Sequence, residues 1–264
     1  MSTPFFREAG TARSGVVCLH ANASTSAQWR GLMDLLAPRF RVLAADLYGS
    51  GNSPPRPKDR PVGLRDEAAF LEPVFARAGD PFALVAHSYS GAVALVAAAR
   101  QPHRIRALAL YEPSLFALVE RETPRDVDGI RNTVRDAVAA QERGDAHGAA
   151  RIFIDFWMGE GSFERMPDKN KAPIADAVAD VQSWKDALFD DPTPLEAFAR
   201  LEIPVLLLVG KRSPLSSRSV ARVLARTLPR VKVVELEDCG HMAPLTHPGP
   251  VNELIADFLT SAGS

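Results

Sequence analysis

The segment Phe82–Ala99, FALVAHSYSGAVALVAAA, is apolar at both ends and polar in its middle. Its first residues form a short continuous apolar run, the pattern of a strand buried on both faces. Its last residues are alanine-rich, with high helix propensity and no breaker. Almost no chain separates the two, so Ser88 is expected at a sharp, accessible corner between strand and helix. A hydroxyl placed there can attack an electrophilic carbon once a neighbouring base takes its proton. Such a strained turn needs small residues around it, and Ala86, Ser90 and Gly91 meet that need, although the usual G-x-S-x-G spelling reads A-x-S-x-S here. The competing reading is a serine that only caps the helix N-terminus.

Two other stretches supply what a serine nucleophile requires. In EDCGHMAPLTHP, His241 follows a strand-like run late in the chain, where the base of such a constellation falls. A neutral imidazole can accept the hydroxyl proton and return it to the leaving group. His20 and His87 flank the site and are expected to orient backbone, whereas His103, His147 and His247 read as surface residues. In CLHANASTSAQW the chain leaves a strand at His20 and enters a Ser/Thr-rich turn. A loop there can aim a backbone N–H at a developing oxyanion, with Asn22 as the first donor and Tyr89, the residue after the nucleophile, as the second. The Asn22 side chain reads equally well as an Asx turn entering the helix.

These residues must be positioned by regular elements. Strand-like runs recur at Gly15–His20, Arg41–Leu47, Phe82–Ser88, Arg106–Glu112, Pro204–Gly210 and Val231–Glu237. Helical segments lie between them at Ala27–Ala37, Leu64–Ala78, Tyr89–Arg100, Arg218–Leu228 and Val251–Leu259. This alternation predicts an α/β fold, a mostly parallel sheet with helices on both faces. Little chain precedes Gly15, so any first hairpin must be abbreviated. Residues 113–195 contain only helical patterns and are too long for an unstructured loop, which predicts a helical cap inserted over the sheet's C-terminal edge. The core domain would then comprise 1–112 and 196–264. The Ser53–Pro61 stretch, SPPRPKDRP, reads as a stiff surface loop.

Composition narrows the function. A chain of 264 residues with 46% hydrophobic and 24% charged residues can bury one large core. A net charge of −1 gives no support for nucleic acid or an anionic membrane as partner; the partner expected from the site chemistry is a small-molecule substrate. No apolar run is long enough to span a bilayer and MSTPFFREAG lacks a signal-peptide core, so a cytoplasmic protein is expected. Cys18 and Cys239 fit neither a disulfide framework nor a zinc spacing and read as buried thiols. No metal ligand set is found and no cofactor is expected.

Taken in order, the strand, LHA, DLYGSGNS, HSYSG, the helical interval, LLLVG and GHM resemble the α/β-hydrolase superfamily from about Gly15 to Leu259. The resemblance implies Ser88 as nucleophile, an oxyanion hole near Asn22 and Tyr89, and His241 as base. Serine at position 88 argues against dehalogenase and epoxide hydrolase chemistry, which in this superfamily uses an aspartate nucleophile. Two positions depart from the usual pattern. The His-Gly before the oxyanion residue is His20-Ala21. The acid normally found three residues past the glycine of PVLLLVG is Ser213. Some members carry the acid after the strand that follows the nucleophile helix, and Glu112 stands there; it reads otherwise as a solvated strand-end charge. If Glu112 turned to solvent, Asp190, Asp191 and Asp238 would be next in line. The expected activity is hydrolysis of an ester or related acyl bond, with a C–C bond hydrolase or lactonase as the nearest competitor and a non-catalytic binding protein as the rival. Among the cap aromatics Phe116, Phe153, Phe156, Trp157 and Trp184, Trp157 is the pocket residue singled out.

Overall fold

A computed structural model describes residues 3–262, so the outermost positions of the expected core domain lie outside it. Seven strands form one sheet: β1 Phe6–Ala9, β2 Gly15–Leu19, β3 Arg41–Ala45, β4 Phe82–His87, β5 Ile105–Tyr111, β6 Val205–Gly210 and β7 Val231–Leu236. Their spatial order is β1-β3-β2-β4-β5-β6-β7. All pairs are parallel except β1 with β3. The abbreviated first strand does not form a hairpin with β2; it adds to the far side of β3, where Phe6 pairs with Ala45.

Helices follow in chain order. Before Ser88 come α1 Arg30–Leu36, α2 Leu64–Phe70 and α3 Glu72–Ala78, with α4 Tyr89–Arg100 directly after it. Between β5 and β6 lie α5 Phe116–Glu122, α6 Asp128–Glu142, α7 Ala146–Met158, α8 Asp168–Val178, α9 Val181–Phe189 and α10 Leu195–Ala199. The chain closes with α11 Leu215–Thr227, α12 Ala243–Thr246 and α13 Pro248–Ala262. The helix expected over Leu64–Ala78 is two helices. Pro73 in the first turn of α3 offers no N–H, and its ring would collide with the carbonyl four residues back, so the helix breaks at Leu71.

The central strands β2, β4 and β6 are buried at every position, as their unbroken apolar runs require. Val17, Leu19, Leu84 and Leu207 face a core shared with α3, α4, α11 and the helices after β5, whereas Val16, Cys18, Val85 and Leu208 face one built on α1 and α13. The Ser53–Pro61 loop is not wholly superficial: Arg56 is buried, its Nη2 2.9 Å from Oε1 of the fully buried Glu67. No helix among the described residues is long and apolar enough to cross a membrane.

The sheet order reverses between β2 and β4, since β3 lies on one side of β2 and every later strand on the other. Open α/β sheets bind ligands outside the strand C-termini at such a switch point. Asn22 follows β2 there and Ser88 follows β4.

Candidate active site

Ser88 links β4 directly to α4 with φ +60° and ψ −121°. Its side chain makes no capping bond to the helix, so the reading as a simple helix cap is not met. The hydroxyl lies instead 2.9 Å from His241 Nε2. Small neighbours hold the turn in specific ways. Ser90, standing where the motif usually has glycine, places its Oγ 2.8 Å from the Leu19 carbonyl and 3.0 Å from that of His87. A Cβ on Gly91 would come 2.8 Å from Pro113, so glycine is required where the β5 loop crosses the elbow.

On the other side of His241, Nδ1 is 2.7 Å from Glu112 Oε2. Glu112 is fully buried, not solvated. It sits one residue past β5 and accepts the Gly210 N–H through Oε1 at 2.7 Å. The carboxyl group thus spans from the end of β5 to the end of β6, the strand whose following loop carries Ser213. Asp238 instead pairs with Arg212, and Asp191 accepts the Thr193 N–H. A carboxylate only accepts, so the imidazole proton belongs on Nδ1 and Nε2 is free to accept from Ser88. Ser88 has a single proton; once it is given to Nε2, the contact of 3.3 Å with Ser114 Oγ must run from Ser114 to Ser88. Neither Ser114 nor Ser217, whose Oγ is 3.3 Å from His241 Nδ1, was singled out from sequence.

Backbone strain gathers here. Apart from glycines, the described residues with positive φ are Ala23, Ser88 and Glu112, all at strand ends around the site. Each costs on the order of 1–3 kcal/mol and persists only where the surroundings impose it, as at functional centres. Asn22 and Tyr89 both line the cavity above Ser88. Tyr89 opens α4, so its amide has no intrahelical acceptor and is available to a ligand. The turn's helix cap is provided by Thr25, whose Oγ1 accepts the Ala27 N–H.

The cavity measures about 420 Å³ and is mainly apolar. Phe116, Phe153, Trp157 and Trp184 line it; Phe156 does not, packing edge-on against Trp157 instead. Trp157 also stacks on the His241 imidazole, with ring centroids 4.1 Å apart and planes 28° from parallel. The helices after β5 therefore touch His241 as well as forming the pocket wall.

Two further histidines are buried beside the site. His20 Nε2 accepts the Leu47 N–H and its Nδ1 lies 2.7 Å from the Ala21 carbonyl. Burial lowers the pKa of His20, and burial with the nearby His241 lowers that of His87 well below the usual value. A depressed histidine pKa stabilises the fold above the unfolded value of about 6.5, and that stability is lost as pH falls below it. Glu67 opposes this, because burial raises its pKa to about 7 and the fold then holds a proton that the unfolded chain releases. Below about pH 6.5 unfolding thus takes up protons at His20 and His87, while Glu67 releases one on unfolding and offsets part of that uptake. In urea unfolding, Glu67→Gln should lose stability more steeply than the wild type on acidification below about pH 6.5. An unchanged slope in the variant would contradict the assignment.

The described residues contain no cluster of three or more His, Cys, Asp or Glu able to hold a metal ion. Among known proteins, the sequence model of the α/β hydrolase fold matches residues 16–248. A haloalkane dehalogenase of Bradyrhizobium diazoefficiens is 26% identical, covering 98% of this chain and 91% of its own. A pimeloyl-[acyl-carrier protein] methyl ester esterase of Yersinia pseudotuberculosis is 25% identical, covering 98% of each. A thermophilic esterase from Thermogutta terrifontis superposes with a TM-score of 0.80 at 23% identity, over 99% of this chain and 94% of that one. With the matched region running from within β2 to the start of α13, the chain belongs to the α/β hydrolase fold family.

Proposed function

We propose that this chain is a serine hydrolase that cleaves a carboxylic ester, or a related acyl bond, of a small and partly hydrophobic substrate through an acyl-enzyme. The observation that carries the reading is the continuous chain Ser88–His241–Glu112, closed at 2.9 and 2.7 Å on a serine held at φ +60°. Ser88 attacks the carbonyl carbon while His241 Nε2 takes its proton. The N–H groups of Asn22 and Tyr89 receive the negative charge that develops on the carbonyl oxygen. The imidazolium then protonates the leaving alcohol, and the tetrahedral centre collapses to the acyl-enzyme. Water repeats the sequence, with His241 as base again. Glu112 holds the Nδ1 proton and offsets the positive charge. In this reading residues 113–195 are a cap, and the apolar cavity they complete takes the hydrocarbon part of the substrate.

The serine nucleophile separates this chain from dehalogenase chemistry despite the Bradyrhizobium relative. The rival reading, a binding protein without turnover, drew on the serine at position 213. A buried carboxylate on His241 Nδ1 removes that motive. A fluorophosphonate probe should label the folded protein stoichiometrically, with the mass shift on the peptide that contains Ser88. Absence of labelling would overturn the catalytic reading. C–C bond and lactone hydrolysis would use the same machinery, and comparing kcat/KM for unactivated alkyl esters, lactones and C–C substrates decides among them.

A further inference from the structure

Gln28 stands just before α1, half-buried, and touches two loops. Its Oε1 accepts the Ala21 N–H at 3.2 Å, and its Nε2 lies 3.2 Å from His87 Nδ1. The opposite edge of that ring, Nε2, is 2.8 Å from the backbone carbonyl of His241. The direction of every bond follows from one fact. A carbonyl can only accept, so His87 carries a proton on Nε2. Full burial and the facing His241 and His20 keep the ring neutral, which leaves Nδ1 bare as an acceptor. Gln28 must then turn its NH₂ toward His87, and its oxygen is left facing Ala21. Each link admits only one arrangement of the next.

What this relay joins matters more than its length. Ala21 precedes Asn22, His87 precedes Ser88, and the accepted carbonyl belongs to the base itself. The loops after β2 and β7 come from opposite sides of β4, and no strand pairing connects them. We propose that Gln28 and His87 are positioning residues that fix the oxyanion loop and the base loop against the nucleophile strand, so that donor, nucleophile and base keep one relative geometry. The catalytic consequence rests on the function proposed above; the hydrogen-bond relay itself does not.

Two substitutions at Gln28 separate positioning from simple stability. Gln28→Met keeps the length and removes both bonds. Its kcat for a p-nitrophenyl ester should drop about 10- to 100-fold with KM nearly unchanged, and fluorophosphonate labelling should slow by a similar factor, as misplacement of a reacting group predicts. Gln28→Glu keeps an acceptor for Ala21 but cannot donate to Nδ1. The groups facing His87 are His241, His20, the edge of Tyr111 and the Ser90 hydroxyl on its backbone, and none of these is bonded to Nδ1. His87 can then rejoin the relay only by taking a second proton. The Glu variant should therefore lose activity as pH rises, an alkaline decline missing from both the wild type and Gln28→Met. Imidazole ¹⁵N spectra of the wild type should show His87 protonated at Nε2 and bare at Nδ1, a readout independent of turnover and of whether either variant folds. A wild-type His87 protonated at Nδ1, or a folded Gln28→Met with wild-type kcat, overturns the proposal. A wild-type protein that resists the probe but shows the Nε2-protonated ring would overturn the catalytic reading and leave the relay standing.

Discussion

Ser88→Ala is expected to abolish ester hydrolysis while leaving the protein folded. When a nucleophile that acts as one unit with its base is removed, kcat falls on the order of 10⁶-fold, and only binding and the oxyanion donors remain. The side chain is buried, but its removal deletes one hydroxyl and opens no sizeable cavity, so unfolding curves should shift little. Ser88→Gly sharpens the test. The residue holds φ +60° in a conformation that glycine adopts without the Cβ penalty. If the elbow stores strain, glycine should unfold at a higher denaturant concentration than alanine while being equally inactive. A variant that kept most of the wild-type rate would remove Ser88 from the mechanism; glycine no more stable than alanine would remove the strain argument.

The sheet and the elbow were legible because both rest on local pattern. Unbroken apolar runs mark β2, β4 and β6, and a run that meets an alanine-rich helix at one polar residue leaves few conformations open. Residues whose meaning depends on distant neighbours were not legible. Phe6–Ala9 could have paired with either side of the sheet, and only three-dimensional packing sends it to β3. Gln28 reads as an ordinary helix-entry residue until His87, 59 positions away, is placed against it. Ser114 and Ser217 became visible only with the imbalance of donors and acceptors around Ser88 and His241. The strained backbone of Ala23 and Glu112 carries no sequence signal, because neither residue type favours positive φ. The stacking of Trp157 on His241 joins a helix after β5 to a loop after β7, a contact no spacing encodes.

Glu112→Gln should reduce kcat by about 10²–10⁴. The size of the effect follows from which end of the new amide faces the imidazole. Gly210 N–H holds one side-chain oxygen at 2.7 Å, so the amide oxygen of Gln must stay there. Its NH₂ group then faces Nδ1, which must become the acceptor. The proton moves to Nε2, where it points at Ser88 and leaves no base for the hydroxyl. The variant retains shape and loses the productive tautomer. Ser213→Ala, by contrast, should cost less than about threefold, as expected for a hydroxyl with no bond to lose. That buried, unpartnered Oγ lies only 2.9 Å from where a Cβ on Gly210 would stand, at the same strand end that Glu112 reaches from β5. An aspartate there starts from the strand whose amide now holds Glu112. Ser213→Asp added to Glu112→Gln should therefore recover part of the lost kcat, since the new carboxylate can accept Nδ1–H and restore the tautomer. A Glu112→Gln variant within about threefold of wild-type kcat would show that the imidazole keeps its tautomer without this carboxylate, and would end the case for Glu112 as the relocated acid.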